Sequence, residues 1–234
     1  MKVDIEKKVQ RMIEAPFEIE EIKTIPEFND SRLCFENKGL RFEATIIYLE
    51  IRNTMLILSR NTPVMLEKIR MSYFYVMIEI VRSLGGKVRR AHDDGFYIFF
   101  QGSTQDSLNG AVKAAMKIKY MLTNEYSQVK KMLDSYDALN FVMGIDDGKV
   151  LCVQTDENGL VWSGEALTVA VDIAKKLSIS GHIGVSKRVH HNLKDTIKYH
   201  KGKKEHQEIW RSDQFTHHQE KHTYFYTSFF WTVS

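Results

Sequence analysis

The order of strand-like and helix-like segments predicts an α+β fold, a mixed and mostly antiparallel sheet flanked by helices. Three observations point there. The run FEATIIYLEI (42–51) is almost wholly apolar, as a strand buried on both faces should be. Two strand pairs are joined by short polar turns, at Asp93-Asp94-Gly95 and at Asp147-Gly148, so hairpins interrupt any regular βαβ alternation. Between them lie windows of helical period, the first ending at Gly85-Gly86.

Bulk composition narrows the function classes. The 234 residues make one large domain, or one with appendages. Lys+Arg 33 against Asp+Glu 30 leaves a net +3, too little for a nucleic-acid binder that works by bulk charge. Cys34 and Cys152 stand apart with no CxxC pair, which excludes a disulfide framework and a cysteine zinc site. No run of about 18 apolar residues occurs, so no membrane span is expected. The opening MKVDIEKKVQRMIE is too charged for a signal-peptide core, and a cytoplasmic location is the expectation.

Taken in order, residues 1–41 read as an N-terminal arm, a short helix and then an irregular stretch packed on the domain. The buried strand 42–51 follows, with the acidic Glu50 near its end. A carboxylate among such neighbours is costly unless it has a partner. Asn61-Thr62-Pro63 is a helix start, with proline where its missing N–H does no harm. That helix runs to Leu84 with Tyr73, Met77, Ile80, Val81 and Leu84 on one stripe, and it is apolar enough that a dimer partner is a candidate for its other side. The hairpin KVRRAHDD/GFYIFFQG comes next, then a helix from Thr104 to about Leu122 with Ala111, Ala115, Ile118 and Leu122 inward. Residues 139–153 read as strand, turn and strand. LVWSG leads into a helix from about Glu165 to Leu177, HIGVS (182–186) is a short strand, and a short helix covers Lys187–Leu193. The tail from 195 is polar and rich in His and Lys, and TYFYTSFFWTV alternates like a late strand.

Two carboxylates stand out. Glu50 closes the buried strand, and Asp94 sits at the tip of a hairpin expected beside it. Paired strands lie about 4.8 Å apart, so residues at adjoining strand ends can meet. Two carboxylates that close repel unless they share a proton or a divalent cation. Mg²⁺ and Mn²⁺ favour such oxygens and are often shared with substrate phosphates. Spacing alone favours the plainer reading, in which Asp93-Asp94 is a polar turn and Glu50 a strand-end residue.

Taken together, Glu50-Ile51, Gly85-Gly86, Asp93-Asp94-Gly95, Gly144-Ile145-Asp146-Asp147-Gly148 and Val171-Asp172-Ile173-Ala174-Lys175-Lys176-Leu177 resemble, in order and spacing, the catalytic domain of class III nucleotidyl cyclases. Leu160-Val161-Trp162-Ser163-Gly164, Lys176-Leu177-Ser178 and the aromatic Tyr226-Thr227-Ser228-Phe229-Phe230-Trp231 are similar to the bacterial pyrimidine cyclases of antiphage Pycsar systems. The resemblance makes 42–234 the cyclase domain. It implies a homodimer that converts UTP or CTP to the 3′,5′-cyclic monophosphate plus pyrophosphate, the product reaching an effector as a second messenger in antiphage defence. It implies two Mg²⁺ or Mn²⁺ ions per site, held by Glu50 and Asp94 with the Ile51 carbonyl. Lys176 of the opposite protomer takes the role of steadying charge on the α-phosphate, Asp172 the place of a ribose-orienting amide, and Arg90 and Val161 lie near the base. No nucleic acid or membrane partner is implied.

The chain departs from that pattern at two residues. Glu50 replaces Asp and is one methylene longer. Asp172 replaces Asn, accepts hydrogen bonds only when ionised, and adds negative charge near a triphosphate. Gly164 lies eight residues before Asp172 where four is usual, so an alternative register sets Thr168 in the amide place and Asp172 in the basic one. An alternative function is a degenerate cyclase-fold module that binds nucleotide or regulates without turnover. His190, His191, His200, His206, His217, His218 and His222 crowd the last quarter. His218 and His222 are spaced for a metal on a helix, but QFTHHQEKHTYFY is a poor helix and reads as solvated polar tail. Lys198, Lys201, Lys203 and Lys204 form a solvated face or reach a triphosphate. Trp162, Trp210 and Trp231 read as core or interface aromatics, and Cys152 as a buried thiol.

Overall fold

The computed structural model describes residues 2–33, 37–92, 94–136, 139–155, 159–200 and 207–233. Two long strands organise it: β2 (Lys38–Ile51) and β5 (Phe141–Gln154), antiparallel from Gly39↔Val153 to Ile51↔Phe141. Apart from its polar start, Glu43 and Glu50, β2 is buried along its length, as its near-continuous apolar run predicts. It starts earlier than its apolar segment because polar Lys38 and Arg41 still find partners. On its far side β2 takes two strands in turn. β1 (Glu18–Glu21) pairs parallel with residues 38–41, and β4 (Gly95–Gln101) pairs antiparallel with 44–50. β4 forms the expected hairpin with β3 (Lys87–His92), irregular between Arg90 and His92; Asp93 lies outside the described residues. On the other side of β5 stand β7 (Ile183–Ser186), parallel, and β6 (Leu160–Ser163), antiparallel. β9 (Glu220–Thr227) and β8 (Arg211–His217) complete the order β3-β4-β2-β5-β7-β9-β8.

Strand alternation sorts β2 between two helical layers. Ile47, Leu49 and Ile51 share a core with α3 (Pro63–Ser83), α4 (Gln105–Thr123) and Leu133 of the short α5 (Gln128–Leu133). Phe42, Ala44, Ile46 and Tyr48 face the side covered by α6 (Glu165–Lys176). Both long helices start where expected: Thr62 and Thr104 accept N–H bonds from Met65 and Ser107. Leu84 and Gly85, the latter at φ +80°, end α3. The tryptophans bear on the core: Trp162 meets Phe42 edge-on and lies tilted against Phe99, Trp210 is buried with its indole N–H on the Ile197 carbonyl, and Trp231 takes Lys113 over its ring. Cys152 is fully buried, its thiol pushed up to about 12 by desolvation; Cys34 lies outside the described residues.

The structure corrects four local expectations. Asp147-Gly148 is no turn. β5 runs straight through it, because β2 offers a partner at every position and Arg188 takes the two aspartates that mimicked a turn. A helix not expected, α2 (Thr54–Arg60), follows β2 at once. The first helix, α1 (Lys2–Glu14), buries no residue, and the contacts of the first forty residues come instead from β1, Ile25 and Leu33. The C-terminal quarter is not a solvated tail. After α7 (Lys187–Asn192) and α8 (Asp195–Lys198) it supplies the β8–β9 hairpin, turning at His218-Gln219 with positive φ at both. The aromatic strand ends at Thr227, and in the irregular FFWTV segment that follows only Phe229 and Trp231 pack against the core.

α6 lies on the sheet at a glycine. A side chain at Gly144 would collide with the Ala170 carbonyl oxygen and come within 2.8 Å of the Ala174 nitrogen. The obstacle is helix backbone, which cannot move aside as a side chain can. G144A is therefore expected to destabilise the fold by about 3 kcal/mol, the upper end of the usual overpacking cost, measured by urea denaturation.

Candidate active site

β2 ends in Glu50-Ile51 and the β3–β4 turn ends in Asp94, opposite each other because Glu50 pairs with Gly95. The Ile51 N–H donates to the Asp94 carbonyl at 2.9 Å, locking the two ends together. Both carboxylates are partly covered, about a quarter to a third exposed. Each has a cationic partner. Arg52 Nε donates to Glu50 Oε2 at 3.0 Å. Arg70, from α3, donates to Asp94 Oδ1 at 2.7 Å, and the Thr54 hydroxyl donates to Oδ2 at 2.9 Å. Strand alternation puts Glu50 on the α6 side, and Arg52 completes that link. Its guanidinium also donates to the carbonyls of Ala174, at 2.7 Å, and Leu177. Positive charge at the carbonyl end of a helix is favourable. Arg52 thus joins the end of β2 to the last turn of α6.

Thr168, Asp172 and Lys176 follow one another at four-residue spacing along the less buried side of α6. Thr168 returns its hydroxyl to the Glu165 carbonyl at 2.8 Å and is exposed. Lys176 is exposed, between the two carbonyls that Arg52 takes. Asp172 Oδ2 is 2.7 Å from His217 Nδ1, at the end of β8. Sequence reading missed His217, Arg52 and Arg70. The signal for Arg52 was its place two residues after Glu50, on the same side of an extended chain; no local signal pointed to the other two. Val161 lies in β6 opposite Val153, half exposed. Arg90 pairs through its backbone with Phe96, and its side chain lies outside the described residues. Lys201, Lys203, Lys204 and His206 also lie outside them, while Lys198 donates to the His191 carbonyl.

The structure therefore brings Glu50, Ile51 and Asp94 together and ties them to the end of the helix bearing Asp172 and Lys176. Two carboxylates with a main-chain carbonyl are hard oxygen donors, and they fit a cation such as Mg²⁺ that keeps further positions for phosphates or water. No cluster of three or more His, Cys, Asp or Glu suited to a metal occurs among the described residues, so such a cation would be completed from outside.

A second cleft, about 630 Å³, lies between α6, α7 and the β8–β9 hairpin, lined by Asp146, Glu165, Ser186, Arg188, Lys221 and His222 among others. It shares no residue with the carboxylate pair. At its floor Asp146 is nearly inaccessible, held by Ser186 Oγ at 2.6 Å and by Arg188 at 3.0 Å.

With this geometry established, the chain can be set beside known proteins. No protein-family model matches it. It is 28% identical to a uridylate cyclase of Xanthomonas perforans over 194 residues, 80% of this chain and 81% of that one. It is 23% identical to a uridylate cyclase of Burkholderia cepacia over 204 residues, 85% and 87% of the two chains. Among solved structures it superposes on the guanylyl cyclase Cya2 with TM-score 0.66 and 18% identity, covering 82% of this chain and 94% of that one. The adenylyl cyclase CyaB of P. aeruginosa gives 0.65 and 14%, covering 81% and 95%. The fold is that of the class III nucleotidyl cyclases. In this class III fold Glu50 and Asp94 stand at adjoining ends of β2 and the β3–β4 hairpin, and Asp172 and Lys176 on the helix that crosses Gly144.

Asp146 makes stability depend on pH. Burial pushes its carboxyl up to about 6, against the pull of Arg188, the Ser186 hydroxyl and the Asp147 N–H, and the Asp147 charge adds to the rise. The folded chain keeps this proton between about pH 4 and 6, where the unfolded chain has lost it. The contribution is full below about pH 4 and is lost as pH rises through about 6. D146N is expected to flatten this part of the stability profile, read as urea midpoints across that window; an unchanged slope would contradict the assignment.

Proposed function

We propose that this protein is a pyrimidine nucleotidyl cyclase that converts UTP, or CTP, to the 3′,5′-cyclic monophosphate and pyrophosphate. The observation that carries the reading is that Glu50 and Asp94 stand at adjoining, hydrogen-bonded strand ends of a class III fold, each paired with an arginine. The choice of a pyrimidine rests on the two uridylate cyclases, each matched over four-fifths or more of both chains. UTP is preferred on that ground.

In this reading the ribose 3′-oxygen attacks the α-phosphorus, the bond to the bridging oxygen of the β-phosphate breaks, and pyrophosphate leaves. The 3′-hydroxyl proton passes to solvent. Glu50, Asp94 and the Ile51 carbonyl would hold two divalent cations, Mg²⁺ or Mn²⁺. Bound there, such ions would supply Lewis-acid charge for the attack and for the leaving pyrophosphate. Arg52 and Arg70, which pair with the two carboxylates, supply positive charge at the strand ends where a triphosphate would bind. The partner's Lys176 completes the site in a homodimer and neutralises charge that grows on the α-phosphate oxygens. Asp172 orients the ribose, and Arg90 and Val161 lie near the base. The product acts in the cytoplasm as a second messenger, reaching an effector in defence against phage.

The assay is direct. Purified protein with Mn²⁺ and each of UTP, CTP, ATP and GTP is expected to yield a cyclic pyrimidine nucleotide, and E50A and D94A each to lose at least about a hundredfold in rate. No cyclic product from any of the four would overturn the reading. Mixing E50A with K176A is expected to restore part of the activity, since one of the two sites in a mixed dimer is intact; no restoration would count against a shared site. Cyclic UMP or CMP is expected to rise in cells on phage infection.

The arginines favour one alternative, a nucleotide-binding module without turnover, in which Arg52 and Arg70 keep the carboxylates permanently. A class III adenylyl cyclase-like ATP-binding protein from Pseudomonas aeruginosa superposes with TM-score 0.63 at 13% identity, this chain spanning 42% of its length. That alternative predicts UTP binding unaffected by E50A and D94A.

A further inference from the structure

Asp172 is where the chain departs furthest from the chemistry of an amide. An amide donates and accepts; an ionised carboxylate only accepts, and it carries a negative charge toward a triphosphate. Yet the structure gives this carboxylate a specific partner. His217 closes β8 immediately before the His218-Gln219 turn, where both residues have positive φ and so set the hairpin end closely. Its Nδ1 lies 2.7 Å from Asp172 Oδ2, with the histidine side chain 5% exposed and the aspartate 33%. Next to a carboxylate oxygen at that distance, Nδ1 is the nitrogen that bears the proton.

The other ring nitrogen, Nε2, is buried and has no hydrogen-bond partner among the described residues. The imidazole packs near Phe215 and His222, where an aromatic hydrocarbon would fill the space without stranding a nitrogen. Packing therefore does not account for a histidine here. What a histidine adds over phenylalanine is the Nδ1–H donated to Asp172.

We propose that His217 is a positioning residue for Asp172 in nucleotide binding. By donating Nδ1–H it fixes one carboxylate oxygen and the side-chain rotamer. It leaves Oδ1 as a hydrogen-bond acceptor for a ribose hydroxyl of the nucleoside triphosphate, so that an aspartate serves in an amide's place. The inference rests on the reading of Asp172 as the ribose-orienting residue of a pyrimidine cyclase.

The test is a double-mutant cycle on the full-length protein with UTP and Mn²⁺. H217A is expected to cut kcat/KM at least about tenfold, the usual scale for removing the partner of a functional ligand. H217N, whose amide N–H can stand near the place of Nδ1, is expected to recover most of that loss. D172N needs no fixed carboxylate, so H217A added to D172N is expected to cost no more than about twofold, within the scatter of non-interacting changes. A structural role alone would make H217A equally costly in both backgrounds, and that result would overturn the proposal.

Nitrogen-15 NMR of labelled histidine reads the pair without turnover. Nδ1 of His217 is expected to be protonated in the wild type, and its signal to shift in D172A. An unprotonated Nδ1, or a signal indifferent to D172A, would also overturn the proposal. An intact pair in a wild type that makes no cyclic nucleotide and binds no UTP would instead fail the cyclase reading, and the positioning role would fall with it.

Discussion

The structure depends on β2 being held in register on both edges at once. Its partners are β5 along thirteen consecutive pairs and β4 along seven, and its side chains divide between two helical layers. Sliding it by one residue would exchange the residues facing α3 and α4 for those facing α6, so every apolar side chain would leave its own cavity. That constraint reaches the chemistry. Because Ile47, Leu49 and Ile51 must face α3 and α4, Glu50 must face the α6 side, and because Glu50 pairs with Gly95, Asp94 must stand beside the same strand end. The carboxylate pair is a consequence of core packing carried to the edge of the core.

Gly144 sets the second coordinate. Only a residue without a side chain lets α6 approach β5 so closely, and the approach brings the last turn of α6 within reach of Arg52. The guanidinium then neutralises Glu50 and caps two helix carbonyls together. A local packing choice on one strand thus sets the spacing between the carboxylates and the helix carrying Asp172 and Lys176.

Acidic side chains at the sheet have arginine partners. Glu50 has Arg52, Asp94 has Arg70, and Asp146 and Asp147 share Arg188. The net charge of +3 gives no sign of this arrangement. A partly buried carboxylate with a replaceable cationic partner can exchange it for a metal ion without an intermediate state of bare negative charge. Asp146 differs from the pair at the strand end: it is buried beside Arg188, and it raises the cost of holding its charge rather than offering it outward.

Much of this was legible in the chain. Alternation and apolar runs marked β2 and β4, capping residues and Gly85-Gly86 marked the ends of α3 and α4, and ordered short motifs marked Glu50, Asp94 and the helix with Asp172 and Lys176. These signals are local: each depends on a few neighbouring residues and on the cost of burying or exposing them. What could not be read is non-local. Asp147-Gly148 has the composition of a turn, and only the presence of β2 alongside makes it strand. The histidine-rich segment has the composition of a solvated tail, and only its place beside β7 makes it part of the sheet and brings His217 to Asp172 from forty-five residues away. Arg70 reaches Asp94 from another helix. The sequence by itself determined the fold class, the central strands and the acidic residues at their ends, because hydrophobic period and backbone preference act over a few residues. The tertiary structure alone decided which cations those acids meet, because a charge finds its partner through space.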